Sequence, residues 1–433
     1  QIGQDIDGEN PYDQSGYSVS LNADGSIVAI GAKSNSNGNG NDAGHVRIYE
    51  NISGSWIQIG QDIDGDGCCS NFGWSVSLDS AGNILAIGAP FGSGIYAGHV
   101  RIYENLGGSW SQIGQDIDGE ADSDQSGSSV SLSSDGSIVA IGARNNDGNG
   151  DNSGHVRIYE NIGGSWSQIG QDIDGEAIDD YCGFSVSISS DGSIVAIGAT
   201  GNDDNGINSG HVRIYENLGG SWSQVGLDID GSSGGDSFGS SVSLSSDGSI
   251  VAISGDRYNQ GVKIFENLSG LWMQKGQDLN VGGHSISLNS DGSIVACGDP
   301  GDYVNGTDPC YVTVFNVSLS TCAGCVDPLA LNYDSTMHYD DGSCIYPSGC
   351  TDSLAYNYDP IAITDDGSCL FCDLTNTMIV SQNTPGSCNG LIIANSTSSN
   401  PPITYLWSNG NTSATLIGLC SGVYSVIISD SVG

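Results

Sequence analysis

Basic residues are nearly missing from this chain. Its 433 residues hold 9 Lys and Arg against 51 Asp and Glu, a formal charge of −42, and none of the nine lies beyond Lys275. So few cations cannot neutralise a phosphate backbone, which excludes nucleic acid as a partner. An anionic membrane would repel such a chain. No run of 18 apolar residues occurs, so no direct membrane insertion is expected. The chain opens at Gln1 without a charged-then-apolar leader and stops in mid-pattern at Gly433, which reads as a segment of a longer protein. A helical period is absent, and so are the GxSxG, HExxH, P-loop and Rossmann phrases. The expectation is that the chain is not an enzyme.

What is present is glycine and repetition. Gly is 66 of 433 residues, about twice the usual share of roughly 7%. With 37% hydrophobic residues in strict alternation, the reading is a folded, turn-rich β protein rather than a disordered one. The phrase QIGQDIDG begins at Gln1, Gln58, Gln112 and Gln168, with degraded copies at Gln224 and Gln274. Each repeat holds four strand signals. The first alternates, as in Ser18-Val19-Ser20-Leu21, and an Asp-Gly turn leads to the small-residue run Ile27–Ala32. The third begins at His45 and the fourth at Trp56. Four antiparallel strands per repeat describe a propeller blade.

First strands at Val19, Val76, Val130, Val186, Val242 and Ile286 count six blades. The sixth has a third strand at Val312–Phe315 but no Trp-led fourth, and Gln1–Ile6 is an orphan fourth strand. The fold expected is therefore all-β, a six-bladed β-propeller closed by pairing Gln1–Ile6 beside Val312–Phe315, which hides both sheet edges.

The run Phe72-Gly73-Trp74-Ser75-Val76, then Leu85-Ala86-Ile87-Gly88-Ala89-Pro90, then Gly98-His99-Val100-Arg101-Ile102-Tyr103 resembles the FG-GAP repeat of integrin-α-type propellers. Integrin-type blades often hold calcium between their first two strands. Here that connection is a short Asp-Gly turn, so the resemblance does not extend to that site. From Cys325 two Cys-framed, Asp-rich repeats follow, 25 residues apart, similar to thrombospondin type-3-like calcium repeats. Their candidate calcium donors are Asp327, Asn332, Asp334, Asp340 and Asp341, then Asp352, Asn357, Asp359, Asp365 and Asp366. Hard cations take six to eight such oxygens. The last segment, with Tyr405, Trp407 and Tyr424, resembles the SprB-type repeat of Bacteroidota surface adhesins, a small Ig-like β-sandwich. Domains are expected at 1–320, 321–372 and 373–433.

Thirteen cysteines, eight of them after residue 320, indicate disulfides and an oxidising compartment. The pairs expected are Cys325–Cys344, Cys350–Cys369, Cys388–Cys420 and Cys297–Cys310. Cys322 and Cys372 are candidate partners of each other, and Cys68, Cys69 and Cys182 stay unassigned.

His45, His99, His155 and His211 hold one place in four blades, which spaces them too widely for a single ion and reads as structural. Trp56, Trp110, Trp166, Trp222 and Trp272 read as packing at each blade's outer edge. The acidic pairs Asp5/Asp7, Asp62/Asp64, Asp116/Asp118, Asp172/Asp174 and Asp228/Asp230 are either cation ligands or a solvated face. His284 is an isolated histidine and reads as structural. Loops at one end of the blades vary in length and content while the turns at the other are uniform, so Asn37, Asn39, Asp147, Asn149, Asp203 and Asn205 mark a candidate binding face. The function expected is adhesion or recognition by a secreted, bacterial cell-surface protein, with a cell-surface protein, a glycan or another copy of the chain as partner. The alternatives are a subunit of an extracellular filament and, behind it, a propeller hydrolase or lyase.

Overall fold

The computed structural model describes residues 1–92, 95–255, 261–279, 281–299, 311–317, 323–325, 327–333, 339–340, 343–355, 357–371, 373–382 and 384–431. Among them there is no helix, and every sheet of three or more strands is antiparallel. The chain divides into two units, Gln1–Thr321 and Cys322–Gly433.

The first unit is six successive sheets, one per repeat. In the third, Ser126–Leu132, Ile138–Ala143, His155–Ile162 and Ser165–Gln168 pair in chain order, and Ile173–Asp174 returns to pair with the start of His155–Ile162. Local chemistry sets the turns. Asp135 Oδ1 accepts the Ser137 N–H at 2.9 Å, Ser133 Oγ accepts the Ile138 N–H at 2.9 Å, and Gly136 supplies the positive φ of 69°.

The two-residue period of the innermost strands gives each face one task. Val130 and Leu132 turn back into a core shared with Val100 and Ile102 of the second sheet. The intervening serines turn forward: Ser129 Oγ donates to the Gly183 carbonyl of the fourth sheet at 2.8 Å, and Ser131 Oγ accepts the Ile188 N–H at 3.1 Å. Where these sheets meet, Gly142 lies against Gly183, and a Cβ on Gly142 would run into the Gly183 carbonyl. Gly31, Gly88 and Gly198 repeat that approach on Gly73, Gly127 and Gly239. Neighbouring sheets therefore touch backbone to backbone at their inner strands.

Closure by a strand at Gln1–Ile6 is corrected here. That segment forms no strand. Trp56 of the first sheet donates its indole N–H to the Ile2 carbonyl at 3.0 Å, and the Gln4 amide donates to the Trp56 carbonyl at 3.0 Å. The second sheet repeats the clasp, since Trp110 donates to the Ile59 carbonyl and Gln61 to the Trp110 carbonyl. The phrase is thus a strap against the sheet that follows it. The sixth sheet has three strands, Ser285–Leu288, Ile294–Asp299 and Tyr311–Asn316. Val19 is 63% exposed where its equivalent Val76 is 9% exposed, and Val312 is 71% exposed where its equivalent Val46 is buried.

The cysteine pair expected in the sixth sheet is also changed. Cys297 is a buried free thiol facing Thr313 across the strands, and its expected partner Cys310 lies outside the described residues.

In the second unit, Cys325–Cys344 and Cys350–Cys369 each close a 19-residue separation, and Cys388–Cys420 closes 32. Thr375–Ser381, Gly390–Thr397 and Thr415–Leu419 form one sheet, Thr404–Trp407 and Val426–Ser429 another. Ala394, Trp407, Leu416 and Leu419 supply their shared core. Disulfides belong to an oxidising compartment of the extracellular kind. No helix among the described residues is long and apolar enough to cross a membrane.

Candidate functional site at the variable-loop end

The loops at the variable end are braced rather than free. In each of the first four repeats the loop after the second strand meets the connection into the next sheet. Cys69 N–H donates to the Asn41 carbonyl at 2.8 Å, Asp179 N–H to Asp151 at 2.9 Å, and Gly235 N–H to Ile207 at 2.8 Å. The residues marked for recognition add to these braces or hold their own loops. Asn39, Asn149 and Asn205 donate to the Gly65, Gly175 and Gly231 carbonyls at 2.8, 2.7 and 2.9 Å. Asn37 donates to Asp64 Oδ1 at 3.2 Å, and Asp147 and Asp203 accept the Asn152 and Asn208 N–H groups at 2.8 Å.

Beside these loops, at the ends of the inner strands, lies a cluster that the sequence reading did not single out. Tyr17 and Trp74 have ring centroids 5.1 Å apart, Trp74 and Phe91 5.5 Å, and Phe91 and Tyr96 5.8 Å. Lys33 Nζ sits 3.5 Å from the Tyr17 centroid and 3.8 Å from that of Trp74. The Arg144 guanidinium lies 5.6 Å from Trp74 and 5.5 Å from Phe184, with Nε donating to Gln125 Oε1 at 3.0 Å. Burial, and then the neighbouring Arg144, push the Lys33 ammonium down to about 8. Among the described residues neither cation is ion-paired with a carboxylate, whereas Arg47, Arg101, Arg157 and Arg213 all are. A cavity of about 270 Å³ adjoins the cluster, lined by Cys69, Asn71, Phe91, Tyr96, Ser123 and Gln125. The Cys68 and Cys69 sulfurs stand 2.8 Å apart at its exposed rim.

A second kind of cluster lies at the third strands. His45, His155 and His211 are buried, each at the mouth of its strand. The fold brings each to the first Asp of the acidic phrase that follows it and to the Glu of the phrase before, as Glu9–His45–Asp62, Glu120–His155–Asp172 and Glu176–His211–Asp228, the last with Asp204. These acidic and histidine groups could hold a metal. Burial first, then Arg157 and Arg213, push the imidazoles of His155 and His211 down to about 4, so both rings are neutral at pH 7. In the second repeat Asp66 stands in place of Glu, and Arg101 binds both Asp66 and Asp116. The second Asp of each phrase has a strand role, with Asp64, Asp118, Asp174 and Asp230 opposite His45, His99, His155 and His211.

The tryptophans pack. Trp110, Trp166 and Trp222 are buried, and Trp56 and Trp272 are half-buried with their indole N–H groups on the Ile2 and Val225 carbonyls. His284 has an exposed side chain.

In the Cys-framed loops Asn332 closes its own loop, donating to the Ser343 carbonyl and accepting the Ile345 N–H, both at 2.8 Å. Asn357 does the same with Ser368 and Leu370. Asp352, Asp359, Asp365 and Asp366 each accept a backbone N–H two residues on. Asp327 accepts the Leu329 N–H and the Tyr346 hydroxyl. Asp334, Asp341 and the Asp340 side chain lie outside the described residues, as do Cys322 and Cys372.

The FG-GAP repeat family matches residues 117–159 and 172–215, the third and fourth repeats. No curated protein matches the chain. Solved structures similar to it include a Bacteroides uniformis protein named as a 6-phosphogluconolactonase, 13% identical, covering 70% of this chain and 85% of that one, with a TM-score of 0.48. Another is the periplasmic gluconolactonase of Pseudomonas aeruginosa, 16% identical, covering 65% and 77%, with a TM-score of 0.47. Both carry enzyme names, and on that finding the expectation that the chain is not an enzyme does not stand.

Proposed function

We propose that residues 1–321 are a closed six-bladed propeller serving as the extracellular recognition head of a larger bacterial cell-surface protein, with its ligand held at the variable-loop end. One observation carries the ligand site: Lys33 and Arg144, in a chain of charge −42, stand among Tyr17, Trp74, Phe91 and Phe184 with no carboxylate partner among the described residues. Cations held on aromatic faces suit an anionic ligand with a flat face to stack, and an acidic glycan has both features. The SprB-type resemblance of residues 373–433 supports adhesion as the setting.

A uronic-acid oligosaccharide is expected to bind the chain, and Lys33→Ala or Arg144→Ala should each weaken it about tenfold, or roughly 1.4 kcal/mol. Lys33 is charged below about 8 and neutral above it, so binding should fall as pH rises through that value. Calorimetric titration at pH 7 and pH 9 reads both effects. Equal affinity in wild type and both variants would remove this reading.

Closure itself is supported by the two exposed sheet faces. Val312 and Val314 hold the positions of Val46 and Ile48, which cover Val76 and Leu78 one sheet on. Val19 and Leu21 are the equivalents of Val76 and Leu78, so the sixth sheet is shaped to cover the first. The same two faces are what favours the second reading, a filament subunit in which the sixth sheet of one copy covers the first of the next.

For the Cys-framed loops we infer calcium, held by the carboxylate oxygens that Asp352, Asp359, Asp365 and Asp366 do not commit to backbone N–H groups. Adding calcium to the metal-free chain is expected to slow amide exchange across 323–371 about tenfold and leave 375–431 unchanged. Identical exchange with and without calcium would make these acids turn-formers only.

A further inference from the structure

We propose that the fourth repeat carries a divalent transition-metal site made by His211, Asp228, Asp204 and Glu176, with a three-donor version at His155. Four separated stretches supply the donors. Glu176 follows Ile173–Asp174, Asp204 belongs to the loop after the second strand, His211 opens the third strand, and Asp228 precedes Ile229–Asp230. One ligand atom from each lies within 4.8 Å of all the others.

The histidine is the independent sign. His211 is fully buried and neither ring nitrogen has a hydrogen-bond partner. Buried polar groups are nearly always satisfied, so an unpartnered imidazole calls for an explanation. Its Nδ1 is 3.8 Å from Asp228 Oδ2, too far for a hydrogen bond. Two donors at roughly 2.0–2.2 Å from one ion can stand up to about 4.2 Å apart. Asp228 is held for that role, because Gln224 donates to its other oxygen, Oδ1. The third repeat has the same arrangement: His155 Nδ1 lies 3.9 Å from Asp172 Oδ2, Gln168 donates to Asp172 Oδ1, and the His155 Nε2 is unpartnered.

The arginine two residues beyond each histidine separates these repeats from the second. Arg213 and Arg157 reach Glu176 and Glu120 at 3.3 and 3.5 Å and give a further N–H to the Asp174 and Asp118 carbonyls, both at 2.7 Å. Asp228 and Asp172 are left facing the imidazoles. In the second repeat Arg101 takes Asp116 as well as Asp66, so the acid equivalent to Asp228 is already bound by a cation. One imidazole with two or three carboxylates is a borderline nitrogen–oxygen set, which favours zinc or manganese over calcium.

The test uses the whole chain with Cys68→Ser and Cys69→Ser, which removes the exposed thiols as zinc ligands, in excess calcium to fill oxygen-only sites. Zinc titration by calorimetry is expected to show a calcium-resistant site, and His211→Gln should weaken its tightest step at least tenfold. Because His211 is buried, Asp228→Asn is the parallel variant. It keeps shape and burial, removes one charged donor and should give the same loss. Cobalt in place of zinc should show visible bands of a nitrogen–oxygen site that weaken at the first equivalent in both variants. Absence of calcium-resistant zinc binding, or a tightest binding step left unchanged in Asp228→Asn, would overturn the proposal.

Discussion

Gly142→Val is expected to lower the stability of the first unit by about 3 kcal/mol, the upper end of ordinary overpacking, and to shift the urea midpoint accordingly. The cause is the backbone contact between sheets. Gly142 meets the Gly183 carbonyl, and Ser129 Oγ donates to that same carbonyl at 2.8 Å. A side chain at Gly142 must push the fourth sheet away, which stretches the serine bond and opens the core built on Ala140, Val156, Ile158, Val195 and Ile197. Gly38 is the control, because nothing stands within 4 Å of a Cβ there and its φ is not positive. Gly38→Ala should leave the midpoint within about 0.5 kcal/mol. Equal midpoints for the two variants would show that the sheets are not held by this approach.

Val19→Asp is expected to cost about 2–3 kcal/mol in a closed ring, the loss of a buried valine with a carboxylate set against apolar neighbours. With Val19 uncovered at 63% exposure, the same change would cost within about 0.5 kcal/mol. Urea denaturation at two protein concentrations tells the arrangements apart. A loss independent of concentration places the cover within the chain. A loss that grows as protein is concentrated places it on a second copy, since only association depends on concentration. No loss in either case would leave the first sheet without a cover and end the closure reading.

Much of the architecture was legible because it is local. Strands such as Ile138–Ala143, and the Asp135-Gly136 turn before them, are set by side-chain alternation and by one carboxylate capping a backbone N–H two residues on. The loop residues also do structural work that the sequence reading did not assign them. Asn39, Asn149 and Asn205 hold the next repeat's glycine carbonyls, a partner 26 residues away that no local pattern announces. The aromatic cluster had a signal that went unused. Tyr17, Trp74 and Phe184 share one position of the repeat, where the third repeat has Ser128, and Lys33 and Arg144 share another. Comparing the repeats column by column exposes both, because residues that break a repeat are where its copies differ in task.

By itself the sequence determined the number of repeats, the all-β character, the turns and the acidic surface. Each follows from a two-residue period, from Asp-Gly chemistry or from composition, and none needs a distant contact. Tertiary structure alone decided which faces meet. Serines that look merely polar bind the next sheet, valines bind the previous one, and Gln1–Ile6 straps the first sheet instead of completing the sixth. It also decided that His211 meets Asp228 and Glu176, 17 residues after it and 35 before. Strand pairing brings such residues together only once two turns and a neighbouring repeat are in place, so their shared chemistry exists in space and has no signature along the chain.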